Sequence, residues 1–129
     1  MENKLILYPL FAMVVLTTFI GVLLAKQRVR AIIKDGLTPG YFYYNKGGRP
    51  PEYLLRTEQH YTNLFELPVL FYTVILLAYS TTHVDLITLG LAWLFVLTRI
   101  LHAYIHIRLN LLVARRRIFI SSASLLMML

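Results

Sequence analysis

The chain has 129 residues, which fits a single domain over residues 1–129, and 58% of them are hydrophobic while only 15% are charged. An average soluble domain is about 45–50% hydrophobic and about 25% charged, and a small domain cannot bury so much apolar surface within itself. The composition therefore excludes a disordered chain and argues against a water-soluble globule. The net charge is +7 and there is no cysteine, so thiolate chemistry from the protein is excluded.

Four apolar segments predict an all-α membrane protein, built as a four-transmembrane-helix bundle. Residues 5–25 carry no charge and as a helix would cross a hydrocarbon core of about 30 Å. The second segment covers residues 54–82 and the third residues 86–109. The fourth, residues 118–129, follows three arginines and would measure only about 18 Å. Either those arginines belong to its first turns, or it is a partial span, or the chain was cut short.

The basic residues predict the orientation in the membrane. They fall in the connection of residues 26–53 and near residues 108–117, whereas residues 80–85 contain no Lys or Arg. By the positive-inside rule, both basic connections face the cytoplasm and both termini lie on the opposite side of a multi-pass integral membrane protein. The tyrosine-rich residues 41–44 suit the membrane–water interface. Because the basic blocks flank apolar segments, we expect lipid headgroups or a small anionic ligand as partners, and no nucleic acid.

Two polar stripes interrupt the apolar helices. Ionisable groups at membrane depth are costly, which makes each of them a functional candidate. Helical spacing places one stripe on one face of the second helix: Arg56, Gln59, Asn63 and Glu66. The same spacing places the other on one face of the third helix: Arg99, His102, His106 and Asn110. We expect Glu66 and Arg99 to share the bundle interior and to interact directly or through His102, because an unpaired charge there is costly.

The stripes admit three interpretations. They could be structural, with polar contacts that fix helix packing. His102 and His106, one turn apart, could bind a metal with Glu66, but no His-Glu-x-x-His motif occurs and Arg99 would repel a cation, so we expect no metal. The third interpretation rests on the arginines near the cytoplasmic ends, because arginine recognises carboxylates bidentately. They favour a small anionic ligand, and glutathione has a suitable set of two carboxylates, an amine and a thiol.

Two motifs resemble those of the MAPEG family, the membrane-associated proteins in eicosanoid and glutathione metabolism, and especially its microsomal glutathione transferases. The first opens the second helix and reads Arg56…Asn63-Leu-Phe-Glu66-Leu-Pro68. The second is Arg99-x2-His102 on the third helix, followed at family-like spacing by Arg115 and Phe119. The chain departs from the family pattern where Gln59 replaces a common arginine, and where a common tyrosine is replaced by His106 and by Phe119.

The resemblance implies a homotrimer of four-helix bundles, with glutathione as co-substrate bound between subunits near the cytoplasmic side. By position it implies a glutathione site formed by Arg28, Arg56, Gln59, Asn63, Glu66, Arg99, His102 and His106, and it makes Arg115 the catalytic residue that stabilises the thiolate. The implied enzyme joins the thiol to a lipophilic electrophile or reduces a lipid peroxide. The alternatives are a non-catalytic ligand-binding member of the same family and a small multidrug-type transporter, which would use one membrane glutamate.

Overall fold

The computed structural model describes residues 2–129, and within this range it contains helices and no strand. The α-helices are α1 (Leu7–Ile33), α2 (Glu52–Asn63), α3 (Leu67–Ser80), α4 (Leu86–Tyr104) and α5 (Leu112–Met128). Two 3₁₀ turns cover Asn3–Ile6 and Pro39–Tyr43, and a π-helical turn covers Ile105–Leu109. The predicted all-α fold is thus confirmed.

Three stretches are long and apolar enough to cross a membrane: Asn3–Ile33, Glu52–Ser80 and Leu86–Leu109. They match the first three predicted segments, which makes the chain an integral membrane protein. The helix α5 has 17 residues, about 25 Å, and begins at Leu112. Residues 115–117 therefore lie in its first two turns, one of the arrangements that the sequence left open. The fourth span itself stays a prediction.

The second stretch consists of two helices separated by a break. α2 ends at Asn63, and Glu66, which precedes α3, has φ −100° and ψ −98°, outside the helical region. Pro68 explains the break because it has no N–H to donate to the Leu64 carbonyl and because its ring would clash with that carbonyl in a continuous helix. The predicted stripe therefore does not continue to Glu66, which is exposed.

A shared hydrophobic core holds the helices together. Phe71 of α3 and Phe95 of α4 are fully buried and stack with ring centroids 4.4 Å apart. The buried Ser122 docks α5 on α4, because its Oγ donates to Thr98 Oγ1 at 2.9 Å. Large apolar side chains cover much of the outer surface, as in Phe19, which is 64% exposed. Such a surface suits contact with lipid, where no aqueous penalty applies.

The connection between α1 and α2 folds back onto the basic end of the bundle. Tyr41 is buried, and its hydroxyl donates to Glu58 Oε2 of α2 at 3.5 Å. Burial raises the pKa of Tyr41, and the Glu58 carboxylate raises it further by charge and hydrogen bonding. Tyr43 and Tyr44 are exposed. The aromatic cluster predicted for the membrane interface is thus divided into one buried and two outward-facing tyrosines.

Candidate functional site

A cavity of about 220 Å³ lies where α2, α4 and α5 meet. It is lined by Asn63, His102, Leu112, Arg115, Arg116 and Phe119. Three of the predicted site residues line it together: Asn63 at the end of α2, His102 on α4 and Arg115 on α5. An amide, an imidazole and a guanidinium that are far apart in sequence therefore converge on one space.

Asn110 fixes the position of Arg115. The Arg115 Nη1 atom donates to Asn110 Oδ1 at 3.0 Å. Asn110 ends the π-helical turn with φ 50° and ψ 39°, a left-handed conformation that asparagine tolerates better than most residues. One residue therefore both turns the chain toward α5 and orients the guanidinium that lines the cavity.

Arg99 lies behind the cavity wall and is fully buried, with its Cζ 5.9 Å from the centroid of the Phe119 ring. Its Nε, Nη1 and Nη2 atoms have no hydrogen-bond partner within residues 2–129. Arginine stays protonated even when desolvated, and a buried charge without an acceptor is strongly destabilising. Arg99 thus offers three unused donor atoms to an acceptor from outside the chain.

Glu66 does not supply that acceptor. Its side chain is exposed, and the ion pairs among residues 2–129 do not include one between Glu66 and Arg99. His102 does not bridge them through Nδ1 either, because that atom has no hydrogen-bond partner within residues 2–129. The prediction that Glu66 and Arg99 share the interior was therefore wrong, and the break before Pro68 is the reason.

A buried cluster of three histidines accompanies Arg99: His60 of α2, His102 of α4 and His106 of the π-helical turn. The ring centroids are 5.2 Å apart for His60 and His102, 5.3 Å for His60 and His106, and 5.6 Å for His102 and His106. His60 Nδ1 and His106 Nδ1 are 3.3 Å apart and form a hydrogen bond. Three other ring nitrogens, His60 Nε2, His102 Nδ1 and His106 Nε2, have no partner within the described chain.

His60 is absent from the residues that the sequence predicted for the site, while its neighbour Gln59 was included and is exposed. A shift of one residue rotates a helical side chain by about 100°. Leu54, Thr57 and Leu64 are buried at helical spacing around His60. That inward-facing pattern is the sequence signal that could have identified His60.

The predicted residues Arg28 and Arg56 do not line this cavity. Arg28 Nε lies 3.4 Å from Glu58 Oε1. Arg56 pairs with Glu52 one turn away, and its Nη1 atom donates to the Arg108 carbonyl at 3.3 Å. Within one chain, both arginines therefore have partners at the basic end of the bundle.

The charge around the cavity favours an anion. Arg115 and Arg116 line it, and Arg99 lies directly behind Phe119. Among residues 2–129 no group of three or more His, Cys, Asp or Glu side chains is arranged to hold a metal ion. The donors assembled here suit a carboxylate or a thiolate.

The model of the MAPEG family matches residues 6–129, nearly the whole chain. The chain belongs to the MAPEG family. Neither the curated proteins nor the solved structures gave a match. MAPEG membership supports a membrane protein of the glutathione and eicosanoid metabolism family, which also includes members that are not glutathione transferases.

Proposed function

We propose that this MAPEG protein is an integral membrane glutathione S-transferase-like enzyme, which activates the glutathione thiol toward lipophilic electrophiles or lipid peroxides. The observation that carries the proposal is the convergence of Asn63, His102 and Arg115 on one cavity. Glutathione is the co-substrate, and the lipophilic substrate arrives from the bilayer. The basic connections face the cytoplasm, where glutathione is dissolved, and both termini lie on the opposite side.

Arg115 is the catalytic residue in this proposal. A free thiol is mostly protonated at pH 7, and a nearby cation lowers its pKa so that the nucleophilic thiolate forms. The Arg115 guanidinium remains charged throughout, and Asn110 holds it at the cavity. The thiol proton leaves to solvent, the thiolate forms a carbon–sulfur bond with the electrophile, and the leaving group departs with the electron pair of the broken bond.

The remaining site residues bind the rest of glutathione. The unused donors of Arg99, behind the Phe119 ring, and a nitrogen of His102 or His106 that carries a proton suit a carboxylate. Glu66, exposed at the break, suits the ammonium group.

Ligand pockets usually measure about 300–1,000 Å³, so a cavity of about 220 Å³ encloses only part of a tripeptide. This supports a homotrimer in which a neighbouring copy contributes Arg28, Arg56 and Gln59 from its basic end.

The test is glutathione binding to the detergent-solubilised protein, combined with conjugation to a generic aromatic electrophile. The thiolate absorbance, titrated against pH, should show a raised thiol pKa in Arg115→Ala together with reduced turnover. Arg117→Ala is the matched control, because it removes the same charge from an exposed residue that does not line the cavity. An equal loss in both variants, or an unchanged titration in Arg115→Ala, would exclude Arg115 from the catalytic role.

One observation favours a second candidate, a ligand-binding member without catalysis. The cavity is lined by Phe119, where many relatives have a tyrosine, so no hydroxyl is available there to hold a thiolate. Glutathione binding at millimolar concentration without conjugation of any electrophile would select this candidate.

A further inference from the structure

An apolar groove of about 270 Å³ runs along the outer face of the bundle between α1 and α4. Its walls include Leu16, Phe19 and Leu23 of α1 and Ile100, Ala103 and Tyr104 of α4. From Leu16 to Leu23 the helix rises about 10 Å, most of one leaflet of a hydrocarbon core about 30 Å thick. The groove therefore matches a segment of an acyl chain in shape and polarity.

The groove opens into a second, basic cavity of about 400 Å³. Leu23, Ile107 and Arg108 line both spaces, and Lys26 and Arg30 line the basic one. None of these three cations forms an ion pair within residues 2–129. Arg30 is oriented by Tyr53, since its Cζ lies 5.1 Å from the ring centroid.

The sequence of α1 produces this arrangement. Phe19, Leu23, Lys26 and Arg30 follow a 4-3-4 spacing and so lie on one face of the helix. That face changes from apolar to basic over about three turns. An amphiphile with an apolar chain and an anionic head matches this sequence of side chains.

We propose that the groove binds an anionic phospholipid of the bilayer, with one acyl chain between α1 and α4 and the phosphate among Lys26, Arg30 and Arg108. Arginine binds phosphate bidentately, and each basic residue near an anionic membrane surface contributes about a fivefold preference. A choline headgroup would place a cation against these three charges. The site shares no lining residue with the cavity around Arg115, so it does not depend on the proposed enzymatic function.

The experiment is native mass spectrometry of the detergent-solubilised protein with dioleoyl phosphatidylglycerol or dioleoyl phosphatidylcholine at equal concentration. We expect phosphatidylglycerol to be retained about a hundredfold more strongly, since each of the three basic residues contributes about fivefold. The variant Lys26→Gln/Arg30→Gln/Arg108→Gln should lose this preference. Ile100→Trp, which fills the groove from a half-exposed position, should weaken retention of both lipids.

The matched control is Lys34→Gln/Lys46→Gln/Arg49→Gln, which removes three charges from exposed residues outside both spaces and should retain the wild-type preference. An equal loss in the control would overturn the proposal in favour of unspecific attraction, and displacement of the phospholipid by equimolar oleate would overturn it in favour of a fatty acid. If the triple variant fails to fold, the single variant Arg108→Gln replaces it. We expect this variant to lose about fivefold of the preference for phosphatidylglycerol, and an unchanged preference would overturn the proposal.

Discussion

His60 and His106 are joined across the bundle interior by a hydrogen bond between their Nδ1 atoms, which lie 3.3 Å apart. A neutral imidazole carries one proton, so one ring donates through Nδ1 while the other accepts there and holds its own proton on Nε2. The pair thus fixes opposite tautomers. One Nε2 is left as a donor and the other as an acceptor, and neither has a partner within the described chain.

We expect His60→Leu to destabilise the protein by about 1–3 kcal/mol, because His106 then keeps a buried, unpaired nitrogen. Adding His106→Leu should cost less than the sum of the single effects, since it removes that unpaired group. Unfolding in detergent, followed by Trp93 fluorescence, gives the free energies. Gln59→Leu, at the exposed neighbouring position, should change stability by no more than about 0.5 kcal/mol. Strict additivity of the two histidine variants would contradict the pairing.

Arg99→Met should stabilise the ligand-free protein by about 1–4 kcal/mol, because a buried charge without an acceptor is replaced by an apolar side chain. Millimolar glutathione should raise the unfolding temperature of the wild type and have a smaller effect on the variant, since the three unused donors are lost. Thermal unfolding with and without glutathione measures both effects. A variant that is less stable than the wild type in the absence of ligand would show that Arg99 has an acceptor after all.

Asn110 allows its backbone role to be separated from its side-chain role. Asn110→Gly keeps the left-handed conformation without strain but removes the acceptor for Arg115, so we expect near-normal stability and a raised thiol pKa of bound glutathione. Asn110→Ala also removes the acceptor and adds about 1–2 kcal/mol of strain at φ 50°. Unfolding and thiolate titration together distinguish the two variants. Wild-type titration in Asn110→Gly would show that Arg115 needs no positioning by this residue.

Asp85 should make the stability of α4 depend on pH. It caps the helix by accepting the Thr88 N–H at 2.7 Å, and hydrogen bonding from the side chain and backbone of Thr88 lowers the Asp85 pKa. Because the folded pKa is below the unfolded one, the added stability is fully present above about pH 4 and is lost as the pH falls through the folded value. Asp85→Asn keeps a capping oxygen and should abolish this dependence, as measured by thermal unfolding across pH. An identical pH profile for wild type and variant would refute this contribution of Asp85 to the pH dependence of stability.

The sequence predicts the inward face of the third helix as far as α4 extends, because Arg99 and His102 lie on α4 and are buried. His106 is also buried but lies in the π-helical turn, and Asn110, the fourth residue of the predicted stripe, lies beyond that turn in a left-handed conformation and so does not share the helical face.

The prediction fails on the second helix for an identifiable reason. Pro68 interrupts the hydrogen bonds three to four residues before itself, so helical spacing counted through Glu66 no longer describes a shared face. A pattern of residues predicts a face only as far as the helix continues.

Tertiary contacts account for the features of the structure that the sequence does not predict. Tyr41 is buried because it packs in a hydrophobic cluster with residues of α1 and α2, such as Leu24 and Leu54. Its hydroxyl also donates to Glu58, and no local pattern in the connection reveals either contact. The position of His60 against His106 likewise depends on how α2 packs on the π-helical turn, 46 residues away in sequence. Helix identity is encoded locally in this chain, whereas the choice of which polar side chains meet is made by the packing.

The interruption at residues 64–66 divides the second membrane stretch into two helices that can move separately. Two helices joined by a short non-helical segment can change the angle between them without breaking α-helical hydrogen bonds inside either helix. Asn63, which lines the cavity, is the last residue of α2. Phe71 anchors α3 in the core by stacking on Phe95. A ligand that draws Asn63 inward is therefore expected to tilt α2 alone. Residues 64–66 take up the displacement, and α3 keeps its packing against α4.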